Sequence, residues 1–127
     1  MKRNVNEAQQ ALDFVGALKQ IAERANQPDF AAVAWDALAQ YVATDNFLYV
    51  GRHKEALRWP DFLARLDCWS RATDFASAVE RVEQDGNLVF VQLDERSTTD
   101  DGARRLATMT IFEFDTAGHL CQIDSFQ

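Results

Sequence analysis

Hydrophobic residues recur at helical spacing in the first half of the chain and at strand spacing in the second. Ala11, Phe14, Val15, Leu18, Ile21, Ala22 and Ala25 lie three and four positions apart, which puts them on one helix face. Asn6 followed by Gln9 has capping-box spacing and predicts where that helix starts. Pro28 and Asp29 restart the pattern, and Phe30, Val33, Ala34, Ala37, Leu38, Tyr41 and Val42 predict a second helix ending near Thr44, Asp45 and Asn46. The two form a helical hairpin. Phe47 to Val50 is short, β-prone and stopped by Gly51, so it predicts a brief strand entering the loop GRHKE. Pro60 suits the first turn of a third helix whose buried side carries Trp59, Phe62, Leu63, Leu66 and Trp69.

From Ala72 onward the pattern predicts extended runs at about 73–84, 87–97, 104–114 and 119–126, separated by DG, TTDDGA and DTAG. Helices first and an antiparallel meander second predict an α+β domain, with the helices on one face of the sheet. Turn lengths set the register. A four-residue loop from Asp115 to Gly118 pairs Phe112 with Cys121 and Thr110 with Ile123 on one face, and Met109 with Asp124 on the other. A loop from Thr98 to Ala103 pairs Leu93 with Thr108, Val91 with Thr110 and Val89 with Phe112. Val89, Val91 and Leu93 are uniformly apolar, so their face meets the helices and Asp124 faces away. The outer face carries Phe90, Met109, Ile111 and Phe126, a contiguous apolar group that predicts a homodimer through this surface.

Length and composition agree with this outline. A chain of 127 residues with 47% hydrophobic content suits one domain over 1–127 with one core. No apolar run approaches the roughly 20 residues needed to cross a bilayer, and the polar start MKRNVNEAQQ is unlike a secretory signal, so a cytoplasmic protein without a membrane role is expected. A net charge of −7 argues against nucleic acid as a partner. Cys68 and Cys121 form no ligand-spaced set, which leaves buried thiols and no metal or other cofactor as the expectation.

The candidate chemistry is sparse. A two-residue turn at Asp85-Gly86 would set Glu80 opposite Val91, inside, with Asp74 on the same parity near the start of the strand. Desolvation there would raise a carboxyl pKa toward the range useful for general acid–base work. A bulge or a longer turn would instead expose Glu80 and turn Ser77, Val79 and Arg81 inward. His53 could carry protons at a pocket mouth. Arg52, Lys54 and Arg58 could hold a carboxylate ligand or simply balance the acidic chain. Trp35, Trp59 and Trp69 could stack on a planar ligand or fill the core.

The element order, with VEQDGNLVFVQLDER, RRLATMTIFEFDTAGHLCQIDSF and the motif F-E-F-D-x-x-G-H-L, resembles the nuclear transport factor 2-like superfamily, including its SnoaL-like and ketosteroid isomerase-like groups. The resemblance implies a strongly curved, mostly antiparallel sheet forming a cone with an internal pocket. It also implies a dimer through the outer sheet face. Residue by residue it implies little catalysis: the isomerase tyrosine position falls on Phe14, the oxyanion aspartate on Thr110, the base near Tyr49 or Val50, and the cyclase histidine on Ile123. What it retains is a pocket lined by Phe14, Trp59, Trp69, Val89, Val91, Thr110, Phe112 and Ile123. The sequence therefore points to a protein binding a small apolar or aromatic molecule. The alternatives are a cofactor-independent isomerase, cyclase or dehydratase using Glu80 with Asp74, Tyr49 or His53, and a dimerisation module.

Overall fold

The computed structural model describes residues 6–51, 53–99 and 101–126, with only the backbone of Asp74, Phe75 and Thr99. The first helix, α1 (Glu7–Arg24), begins at Asn6, whose side chain accepts from Gln9 N at 3.1 Å. The Gln9 side-chain amide donates to Asp13 one turn on. Gln84 reaches the first turn from across the fold: its Oε1 accepts from Ala8 N and its Nε2 donates to Glu7. An orphan donor of the first helical turn is thus satisfied by the sheet.

The expected second α-helix is a 3-10 helix, Ala32–Tyr41. Three residues per turn set Trp35, Leu38 and Tyr41 on one side. Trp35 and Leu38 are buried there, while Val33, expected inside, is 69% exposed. Next come β1 (Leu48–Val50) and a second short strand, β2 (Ala56–Leu57), which the hydrophobic pattern does not mark. Between them Gly51 N donates to Glu55 O, Lys54 N donates to Gly51 O, and Lys54 takes a φ of 66°. Helix α2 (Trp59–Ala72) starts with Pro60 in its first turn, as expected.

The long strands follow as β3 (Asp74–Asp85), β4 (Leu88–Thr99), β5 (Gly102–Phe114) and β6 (Leu120–Phe126). The six-stranded sheet has the order β2-β1-β6-β5-β4-β3, antiparallel except where β1 runs parallel to β6. The three helices pack on one side of this curled sheet, which does not close on itself. The core joins α1, the 3-10 helix and α2 to the inner sheet face through residues that include Phe14, Trp35, Phe47, Val89, Val91 and Phe112.

Registers decide what faces the interior. The β4–β5 pairing is the expected one, with Leu93 opposite Thr108, Val91 opposite Thr110 and Val89 opposite Phe112. Along β6 the expected partners slip by two: Phe114 pairs with Leu120, Cys121 is an extra residue, and Phe112 then pairs with Ile123. Two one-residue slips cancel in parity, so Ile123 stays inside and Asp124, opposite Ile111, stays outside. Asp124 there accepts the Gln122 side-chain amide on both oxygens.

Strand β3 departs from expectation. The turn is Gly86-Asn87, with Gly86 at φ 62°, because glycine at the first central position of a tight hairpin supplies the positive φ. Asn87 then locks the corner, donating from Nδ2 to Phe114 O and accepting from Phe114 N. Val82 therefore faces Val91, and a bulge at Glu80 separates Arg81–Gln92 from Val79–Leu93. The extra residue flips the first half of the strand and exposes the Glu80 side chain, so the expected inward carboxylate is not there. The expectation of buried thiols is also corrected: Cys68 is exposed, and Cys121 is half-buried with its Sγ 3.4 Å from Glu113 O. Among the described residues no helix is long and apolar enough to cross a membrane.

Candidate functional site: a cavity between helices and sheet

Helical spacing builds one wall of the site. Phe14, Val15, Leu18 and Lys19 on α1 and Phe62, Arg65, Leu66 and Trp69 on α2 form two stripes that converge over the inner sheet face. Opposite them the pleat presents Leu93, Glu95 and Ser97 of β4, Arg104, Leu106, Thr110 and Phe112 of β5, and Ile123 and Ser125 of β6. The half-open cavity measures about 720 Å³, within the range of small-molecule sites. Its floor is aromatic: Phe14 packs edge-on against Phe112 at 6.1 Å and against Tyr41 at 6.2 Å. The bulge in β3 brings Ser77 to the cavity edge, where Lys19 Nζ donates to its carbonyl at 3.0 Å.

Of the residues expected to line a pocket, Phe14, Trp69, Thr110, Phe112 and Ile123 line this one. Val89 and Val91 are fully buried in the core and do not reach it. Trp59 is likewise core, packed on Phe47 at 5.1 Å and on Phe62 at 5.9 Å. Of the four residues considered for proton transfer, Tyr49 is in the cavity. Glu80 is exposed at its bulge, and the Asp74 side chain lies outside the described residues. His53 is exposed and borders a separate depression of about 350 Å³ with Gly51, Lys54, Asp124 and Phe126, on the far side of β6. Arg52 lies outside the described residues, and Arg58 is exposed.

The carboxylate that does enter the cavity is Glu95, which the pattern did not single out. Burial pushes its pKa up, and the Thr108 hydroxyl, close by but without a well-formed hydrogen bond, offsets part of that rise. Tyr49 is also pushed up, first by burial and then by the charges of Glu55 and Glu95, against the lowering influence of the Ser125 hydroxyl and of Arg65. A desolvated carboxyl and a phenol that feel each other, with the exposed Arg65 guanidinium acting on the phenol from the edge, can hold or exchange a proton with a bound molecule. No group of three or more His, Cys, Asp or Glu among the described residues could hold a metal ion.

No sequence-family model matches the chain, and no curated protein is significantly similar to it in sequence. Solved structures are similar in fold. A protein of Jannaschia sp. CCS1 described as a SnoaL-like polyketide cyclase matches with a TM-score of 0.72 at 15% identity, covering 99% of this chain and 89% of the other. An LEH-like epoxide hydrolase of M. tuberculosis matches at 0.69 and 14% identity, covering 95% and 84%. An NTF2-like protein of unknown function from Cytophaga hutchinsonii matches at 0.63 and 14%, covering 99% and 93%. At such identities the likeness establishes the fold alone: the chain has the α+β cone fold of these NTF2-like and SnoaL-like structures.

Proposed function

We propose that the protein binds a small apolar or aromatic molecule in the cavity between α1, α2 and the inner sheet face. The observation that carries this reading is the cavity itself: about 720 Å³ of space walled by Phe14, Leu18, Leu66, Trp69, Phe112 and Ile123, where a domain core is otherwise close-packed. Fluorescence titration with phenylnaphthylamine, a neutral probe that brightens in apolar surroundings, tests it. Saturable uptake is expected, and Thr110→Phe, which fills the middle of the chamber, should abolish it without unfolding the protein. Uptake unaffected by that substitution would place the probe elsewhere and end the reading.

One observation favours a second reading in which the bound molecule is also transformed. Glu95 sits in the chamber with its neutral form favoured by burial, beside Tyr49, so a general acid and a hydrogen-bond donor face the same space. The inward-carboxylate role considered for Glu80 passes to Glu95 on this reading. Apolar epoxides and enolisable ketones are the substrates to screen. A pH–rate inflection that disappears in Glu95→Gln is expected; turnover insensitive to that change would remove Glu95 from the chemistry.

The outer face supports a homodimer reading of its own. Phe90 lies opposite Ile111 and Met109 opposite Phe126, so the apolar group is contiguous across three strands. Phe126 is 42% exposed, with Lys54 Nζ 5.9 Å from its ring. A second copy offers the same apolar patch in return, as a two-fold interface requires.

A further inference from the structure

The cavity is apolar at its floor and cationic at its mouth. Lys19 from α1, Arg65 from α2 and Arg104 from β5 approach the opening from three separate elements, with Arg65 and Arg104 exposed and Lys19 half-buried. Among the described residues neither Arg65 nor Arg104 has an ion-pair partner. Arg105, also at the rim, is differently placed: both arms of its guanidinium bind Asp94, at 2.9 and 2.8 Å. The rest of the molecule is acidic, with a net charge of −7, so this local excess of positive charge is not the spill-over of a basic chain.

From this arrangement we infer that the molecule bound in the cavity is an amphipathic organic anion, its ring or hydrocarbon body on the aromatic floor and its carboxylate or sulfonate at the mouth between Arg65, Arg104 and Lys19. The inference rests on the proposed binding role of the cavity and specifies the chemical class of the ligand. Arginine suits the task, since its planar fork grips a carboxylate or sulfonate through paired N–H donors. Glu95 is the one carboxylate among the described lining residues. Burial raises its pKa, so its charge opposes a bound anion less than an exposed carboxylate would. Sequence reading could not reach this, because Lys19, Arg65 and Arg104 are far apart along the chain and each is unremarkable alone.

Two probes of the same ring system separate this inference from the reading beneath it: anilinonaphthalene sulfonate, which stays anionic, and phenylnaphthylamine, which lacks the sulfonate. The wild-type protein should bind the sulfonate about tenfold more tightly, and the preference should shrink as ionic strength rises. In Arg65→Gln/Arg104→Gln the preference should vanish while the neutral probe binds as before. The same loss of charge at two outer-face positions, Arg81→Gln/Arg96→Gln, should leave the preference intact. Equal affinity of the wild type for both probes, or a preference that survives the mouth variant, or one lost equally in the outer-face variant, overturns the inference while leaving the cavity as a binding site. Failure of both probes to bind overturns the cavity reading and this inference together.

Discussion

The indole N–H of Trp35 donates to Asp67 Oδ1 at 3.0 Å, and the other oxygen of that carboxylate accepts from Arg71 Nε at 2.9 Å. One side chain of α2 thereby fastens the 3-10 helix, and the Arg71 guanidinium also lies 5.1 Å from the Phe30 ring centre, which packs edge-on against Trp35. Trp35 is 1% exposed, so its N–H has no recourse to water if Asp67 is removed. Asp67→Ala should cost about 1–3 kcal/mol, the penalty of a buried donor left without an acceptor. Asp67→Asn keeps an acceptor oxygen and loses only a partly exposed ion pair, typically about 0.3–0.5 kcal/mol. Urea unfolding of both variants checks the distinction, and equal losses would assign the energy to Arg71 instead.

The same carboxylate predicts an acid limb in stability. Desolvation alone would raise the pKa of Asp67, but the hydrogen bonds from Arg71 and Trp35 outweigh it and hold the group below its ordinary 3.8. A depressed folded-state pKa contributes stability that is complete above the unfolded value and lost as pH falls through the folded one. Thermal melts in acid should show that loss, reduced in Asp67→Asn.

Glu95 has the opposite sign. Its pKa is raised above its ordinary 4.5, so the folded state binds the proton more tightly than the unfolded state does. Stability attributable to this group is therefore greatest below 4.5 and declines as pH rises through the raised value. Glu95→Gln should be more stable than the wild type at neutral pH, with the advantage gone in acid. Melting temperatures measured across that window decide it, and parallel curves for the two proteins would show that Glu95 is not desolvated.

Ser70 Oγ is wholly buried in α2 and has no hydrogen-bond partner among the described residues. Ser70→Ala removes an unsatisfied polar atom and adds helix propensity, so it should leave stability unchanged or raise it by about 0.5–1 kcal/mol. Chemical denaturation reads this directly, and a loss above that size would reveal a partner for the hydroxyl in solution.

The homodimer reading predicts that the wild type sediments as a dimer at micromolar concentration and that Ile111→Arg sediments as a monomer with its fold intact. A cation on the outer face opposite Asp124 should harm association more than stability. A monomeric wild type would end the reading.

Much of the fold was legible because period and turn chemistry are local properties. The spacing along α1, the proline at the start of α2 and the β4–β5 register are all written in short stretches of chain, and the structure has them where the pattern puts them. The inside and outside of β6 survived a wrong partner assignment because its two slips cancel. β3 did not survive, since a bulge is one extra residue with no composition of its own: nothing about Glu80 marks it as the residue to be left over. The 3-10 winding escaped notice for a related reason, as Trp35, Leu38 and Tyr41 fit a period of three while their neighbours mimic one of 3.6. The cavity was half legible. Its apolar floor follows from Phe14, Phe112 and Ile123, but Glu95 and Arg65 are recognisable only once remote elements are brought together.

The bulge at Glu80 has a further consequence. Twelve-residue β3 is the last strand of the sheet, and a flat strand in that position is a template on which a neighbouring molecule can add its own backbone, the first step toward fibrils. One surplus residue kinks that rim, and Glu80, Arg81 and Glu83 crowd it with exposed charge. Deleting Glu80 would do more than move side chains between faces: it would straighten the border and invite stacking, so self-assembly on storage is the hazard this small irregularity guards against.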